Sequence, residues 1–102
     1  GPLTRQAIDT GAVDVGLLFS TDGSVADLGF TVLEDDLHLQ NVDNLVPAID
    51  SSVRTTAIMR ALNRLSATLT TDDLILMNKA VDLDRRTPKG VAAAYLKAKG
   101  LS

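Results

Sequence analysis

The sequence predicts an α/β fold, and three observations predict it. Residues 13–19 are apolar but for Asp14, with Val13, Val15, Leu17, Leu18 and Phe19 in close succession. That length and content are those of a buried strand. Residues 30–33 repeat the pattern in a shorter stretch. The second half of the chain instead spaces its apolar residues at helical intervals. Two or three short strands beside several helices form an unfinished set, because a parallel pair needs a crossover and both sheet faces need cover. The expectation is that further polypeptide completes the set, or that copies associate.

The elements follow in order. Pro2 suits the first turn of a helix, where its absent N–H costs nothing. A short helix is expected over residues 3–9, stopped near Gly11. The first strand, 13–19, ends at a polar break, Ser20-Thr21-Asp22-Gly23. Residues 24–28 read as one helical turn and 30–33 as the second strand, ended by Glu34, Asp35 and Asp36. Residues 37–43 have no clear period and read as loop. Residues 45–49 are apolar but hold Pro47, which cannot donate to a ladder and marks an edge strand or a crossing segment. Ser51 and Ser52 follow as turn or cap residues.

The rest reads as three helices. Ile58, Ala61, Leu62, Leu65 and Leu69 form one apolar face. Thr70 or Thr71 can cap the next helix, with Asp72 and Asp73 placed against its positive end. Leu74, Met77, Ala80 and Val81 would face inward. Thr87-Pro88 is a strong helix start and Gly100 a stop. Val91, Ala92, Tyr95 and Leu96 would pack on the core.

Composition narrows the function classes. The 102 residues are 45% hydrophobic and 23% charged, ordinary values for a globular domain. The net charge of −3 comes without a basic patch, which argues against a nucleic-acid partner. No apolar run approaches the roughly 20 residues that cross a bilayer. Cysteine is absent, so neither disulfide nor thiol chemistry is available. The chain opens at Gly1-Pro2-Leu3-Thr4 without an apolar leader, which reads as a cloning remnant or as an internal boundary of a longer protein.

Catalytic and metal chemistry find little support. A relay of Ser20, His38 and Asp22 is formally available, but no Gly-x-Ser-x-Gly elbow surrounds Ser20. Glu34, Asp35, Asp36 and His38 are conceivable metal ligands, yet their spacing matches no EF-hand loop, and clustered turn acids are usually a solvated edge. No phosphate-binding glycine loop occurs. No cofactor is expected. The cluster at residues 20–23 is the most informative, since it follows a strand at the end where α/β sheets gather ligands. A plain strand-to-helix turn capped by Asp22 explains it equally well.

Residues 11–22, Gly-Ala-Val-Asp-Val-Gly-Leu-Leu-Phe-Ser-Thr-Asp, resemble a stretch of the glycine betaine/carnitine/choline-binding proteins of osmoprotectant ABC transporters. The likeness continues through Val32-Leu33-Glu34-Asp35-Asp36 and Asn44-Leu45-Val46-Pro47. It resumes at Ala61-Leu62-Asn63-Arg64-Leu65-Ser66, Leu69-Thr70-Thr71, Leu76-Met77-Asn78, Val81-Asp82 and Tyr95-Leu96-Lys97. It covers essentially the whole chain, and the combination of blocks is more specific than any one of them.

The resemblance implies a fragment of a type II periplasmic-binding-protein fold, the C-terminal third of a two-lobed protein. Family members carry Gly-Pro-Leu-Thr at the point where this chain opens, which implies a natural piece of a longer one. Residues 1–29 would then be the end of the second lobe, 30–50 a hinge or crossing segment, and 51–102 the helical C-terminal part of the first lobe. The implied role is extracytoplasmic capture of a small compatible solute, in a lipid-anchored parent that serves an ABC permease, with no catalytic residues. The family grips its quaternary ammonium in an aromatic box, through cation–π attraction. This chain has three aromatic residues, Phe19, Phe30 and Tyr95. Phe19 and Tyr95 read as core and Phe30 heads a strand, so the box would come from elsewhere.

One departure bears on the ligand. Many members carry Phe-Pro-x-Tyr-Asn after the acidic turn, with the Tyr facing the ligand, where this chain has Gln40-Asn41-Val42-Asp43-Asn44. Asp43 stands at the Tyr position, which counts against betaine or choline as the ligand. It either attracts a cationic head, accepts hydrogen bonds from a hydroxylated ligand, or is a solvated loop acid. The expected ligand residues are Thr21, Asp22, Asp43 and Asn44. The alternative is a small interaction module with no small-molecule ligand, a homo-oligomer formed by strand exchange at an exposed edge.

Overall fold

The computed structural model describes residues 1–41 and 43–102. Among them five α-helices follow one another: α1 Pro2–Asp9, α2 Ser24–Asp27, α3 Thr56–Thr68, α4 Thr71–Asp82 and α5 Pro88–Ala98, with a 3-10 turn at Ser51–Val53 before α3. The bounds of the helices are set by local chemistry. Pro2 and Pro88 open α1 and α5. Thr55, Thr70 and Thr87 each accept a hydrogen bond from a backbone N–H in the first turn of α3, α4 and α5. At α4 the arrangement is reciprocal, because the Asp73 carboxylate accepts from the Thr70 N–H while Thr70 Oγ1 accepts from the Asp73 N–H. Gly100 takes φ 64° just past α5, and Leu101 N–H returns to the Leu96 carbonyl at 2.8 Å, the pattern that closes a helix C-terminus.

The α/β expectation is corrected: among the described residues there is no strand, and the ordered elements are all helical. The segments 13–19, 30–33 and 45–49 are irregular. An apolar run records which residues gain from burial, but a strand exists only where a second strand takes up its N–H and C=O groups. None of these runs finds such a partner, and most of their side chains stay in solvent, with Leu18, Phe30 and Ile49 half-buried. Phe19, expected in the core, is 77% exposed, and Val46 is equally so. The loop expected over 37–43 includes Val42, which lies outside the described residues.

Burial is correspondingly thin. α4 packs on α5, with Ala80 of one and Val91 of the other buried, while Leu74, Met77, Tyr95 and Leu96 are half-buried around them. The face expected on α3 is less covered: Leu62, Leu65 and Leu69 are half-buried, and Ile58 and Ala61 are exposed. The accessible surface is 8225 Å². A folded monomer of 10.8 kDa exposes about 5,500 Å². The radius of gyration is 16.7 Å, against about 13 Å for a compact domain of this length. The chain thus presents far more surface, much of it apolar, than a self-sufficient domain does.

Candidate functional site

The polar break at residues 20–23 is held firmly on α4. Asn78 Nδ2 donates to the Thr21 carbonyl at 2.8 Å. Lys79 Nζ reaches Asp27 at 2.7 Å. Gly23 lies so near the α4 backbone that a Cβ there would come within 2.6 Å of the Lys79 nitrogen. Only a glycine lets the two segments approach this far. Ser24 beside it is fully buried, its Oγ and N–H both donating to Asp22 Oδ1 at 2.6 and 2.9 Å.

This docking creates a groove of about 430 Å³. One wall is the turn, with Ser20 and Thr21. The second is the segment from Asp43 to Pro47. The third is the end of α3 and the start of α4, with Leu65, Ser66, Leu69, Thr70, Thr71 and Leu74. The apolar floor comes from the helices and the polar rim from all three walls. A second concavity, about 490 Å³, lies along α3 from Thr56 to Ala67. A single helix forms it, so its side chains do not converge on an enclosed ligand.

Three of the expected ligand residues, Thr21, Asp43 and Asn44, therefore share one groove, although more than twenty residues separate Thr21 from Asp43. Asp22 does not line it. Its carboxylate is turned onto Ser24, with the Arg5 guanidinium at 4.0 Å. Desolvation pushes this carboxyl up, but the Ser24 hydrogen bonds and Arg5 outweigh it and hold Asp22 below its ordinary value. Asp22 builds the turn. Ser66, Thr70 and Thr71 join the rim as well; the sequence offers Thr70 and Thr71 as caps and places all three in blocks of family likeness, without marking them as ligand residues.

The other chemical candidates are placed elsewhere. His38 is exposed, at φ 51°, in a turn organised by Asp35, whose two carboxylate oxygens accept the Leu39 and Gln40 N–H groups at 2.9 and 2.8 Å. The Gln40 and Leu39 hydrogen bonds keep the Asp35 carboxyl below its ordinary value. Among the described residues no three acidic or histidine side chains converge as a metal site. Nor is any described helix long and apolar enough to cross a membrane.

Residues 1–98 match the sequence profile of OpuAC, the substrate binding domain of the ABC-type glycine betaine transport system. The chain belongs to the OpuAC family. The match takes in α1 to α5 and all three walls of the groove. No solved structure matches the chain.

Proposed function

We propose that this OpuAC chain works in a substrate-binding protein of a glycine betaine-type ABC transporter, where it supplies one side of the solute site. The groove shared by Thr21, Asp43 and Asn44, inside a chain matched to OpuAC over residues 1–98, carries this reading. The groove stands open, no aromatic side chain lines it among the described residues, and the surface around it is uncovered. A complete cleft needs an opposing wall. In the reading proposed here the remainder of a longer polypeptide provides it, with this chain as the C-terminal part.

The layout that fits is residues 1–29 from the end of one lobe, 30–50 as the crossing segment and 51–102 as the helical part of the other. Each contributes one wall of the groove. Capture would proceed by hinge closure over a compatible solute, and release would pass it to the permease without making or breaking a bond. That role is extracytoplasmic, in a lipid-anchored protein, and it calls for neither catalytic residues nor a cofactor.

Calorimetric titration of the full-length binding protein with a panel of compatible solutes, glycine betaine and choline included, tests the reading. Saturable heat from at least one solute is expected. A folded protein that takes up none of the panel would contradict it.

A further inference from the structure

The α4 helix serves the groove in two ways. Its residues Thr71 and Leu74 line one wall. Asn78, one turn beyond Leu74, holds another wall, because its Nδ2 donates to the Thr21 carbonyl at 2.8 Å. Residues 71, 74 and 78 stand three and four apart and so share one face of the helix. Asn78 is half-buried and does not itself line the groove. Among the described residues no backbone N–H takes up the Thr21 carbonyl, so the Asn78 amide is what holds it.

The spacing of two groove walls is thereby set by a single helix. Thr21 belongs to an irregular turn, whose own backbone fixes no wall, and α4 gives it a place. A site carried on helices keeps closer geometry than one carried on loops. The rest of the turn is anchored separately: Gly23 lies against the Lys79 backbone, and Asp27 accepts from Lys79 Nζ at 2.7 Å. Loss of the Asn78 amide would therefore free the groove end of the turn and leave Gly23 and Asp27 docked.

Resting on the solute-binding reading above, we propose that Asn78 is a positioning residue of the solute site: it acts through Thr21, clamping its carbonyl onto α4 and so holding Thr21 at the distance from Thr71 and Leu74 that a bound solute requires.

The test is a double-mutant cycle read in solute affinity, in the longer binding protein proposed above to contain this chain. Calorimetry with glycine betaine, choline and the rest of the solute panel selects the tightest binder as the probe. Asn78→Ala and Thr21→Val are each expected to weaken that probe about tenfold, the worth of one well-made hydrogen bond. The double variant should also lose about tenfold rather than a hundredfold, because Asn78 then has no contact left to position. Asn78→Asp keeps the volume and removes the donor, so it should match Asn78→Ala and stands in for it if the alanine variant does not fold. Thermal melts confirm folding. A scaffold role alone would lower the melting temperature and leave affinity unchanged. That result, or losses that multiply in the double variant, overturns the proposal while the solute-binding reading stands. If the folded, unsubstituted protein takes up no compatible solute, both fall.

Discussion

Gly23 and Lys79 meet backbone to backbone: a Cβ on Gly23 would lie 2.6 Å from the Lys79 nitrogen and 2.8 Å from its Cα. This contact seats the 20–23 turn on α4 and so fixes where Ser20 and Thr21 stand in the groove. Because the obstruction is helix backbone, it cannot swing aside. Gly23→Ala should force the turn away and cost about 1–3 kcal/mol, as overpacking does. Urea melts of the variant check this, and the Asn78 to Thr21 hydrogen bond should be lost with the contact.

Asp22 gives an acid-side prediction. Its carboxyl is held below the ordinary 3.8 in the folded chain, so unfolding raises its proton affinity. The stability it contributes is present above that ordinary value and is lost as pH falls through the folded one. Asp22→Asn should therefore lower stability at neutral pH and flatten the loss below about pH 4. Denaturant midpoints measured from neutral pH down to pH 2 would show both effects, and an unchanged acid limb would contradict the assignment.

Tyr95 offers a spectroscopic report on the α4–α5 contact. It is the single tyrosine and there is no tryptophan, so ultraviolet titration reads it alone. Desolvation raises its pKa above the ordinary 10.0, and its hydroxyl donates to Asp73 Oδ2 at 3.0 Å, which raises it further. The folded chain should titrate above 10.0, and Asp73→Asn should bring the midpoint back toward it. Since the folded value is the higher, the stability from this bond holds below the ordinary value and fades as pH rises through the folded one. Asp73 also accepts from Thr70 and pairs with Lys99 at 3.1 Å, so Asp73→Ala should destabilise more than Tyr95→Phe.

The uncovered surface leads to a prediction about solution state. An excess of about 2,700 Å² over a compact monomer is at the upper end of what one partner buries even in a large obligate interface. The 102-residue chain by itself should associate, sedimenting above 10.8 kDa as concentration rises. A monomer that stays at 10.8 kDa and binds no hydrophobic dye would contradict this.

Helices were legible in the sequence because their signals are local. Thr70 with Asp73, Thr87 with Pro88, and Gly100 each decide an end within one turn, and the period of Leu74, Met77, Ala80 and Val81 marks a face without reference to anything distant. The runs at 13–19, 30–33 and 45–49 misled for the opposite reason. Their hydrophobicity is real, but strand formation depends on a partner that a run of residues cannot name. The site divides in the same way. Asp43 and Asn44 are reached through family likeness, and Thr21 also through its place in the polar cluster at residues 20–23. Asp22 drew attention as a polar group at a turn, and its bond to Ser24 shows that it builds that turn. Ser66 and Thr71 enter the rim only because Gly23 brings the turn down onto α4, a long-range event that no local pattern records.

Side-by-side calorimetry of the 102-residue chain and of the longer binding protein proposed above to contain it, each titrated with the same solute panel, tests most directly whether this chain is one side of a solute site. The account predicts no measurable heat from the chain and saturable binding by the longer protein. Tight binding of a solute by the 102-residue chain alone would contradict it.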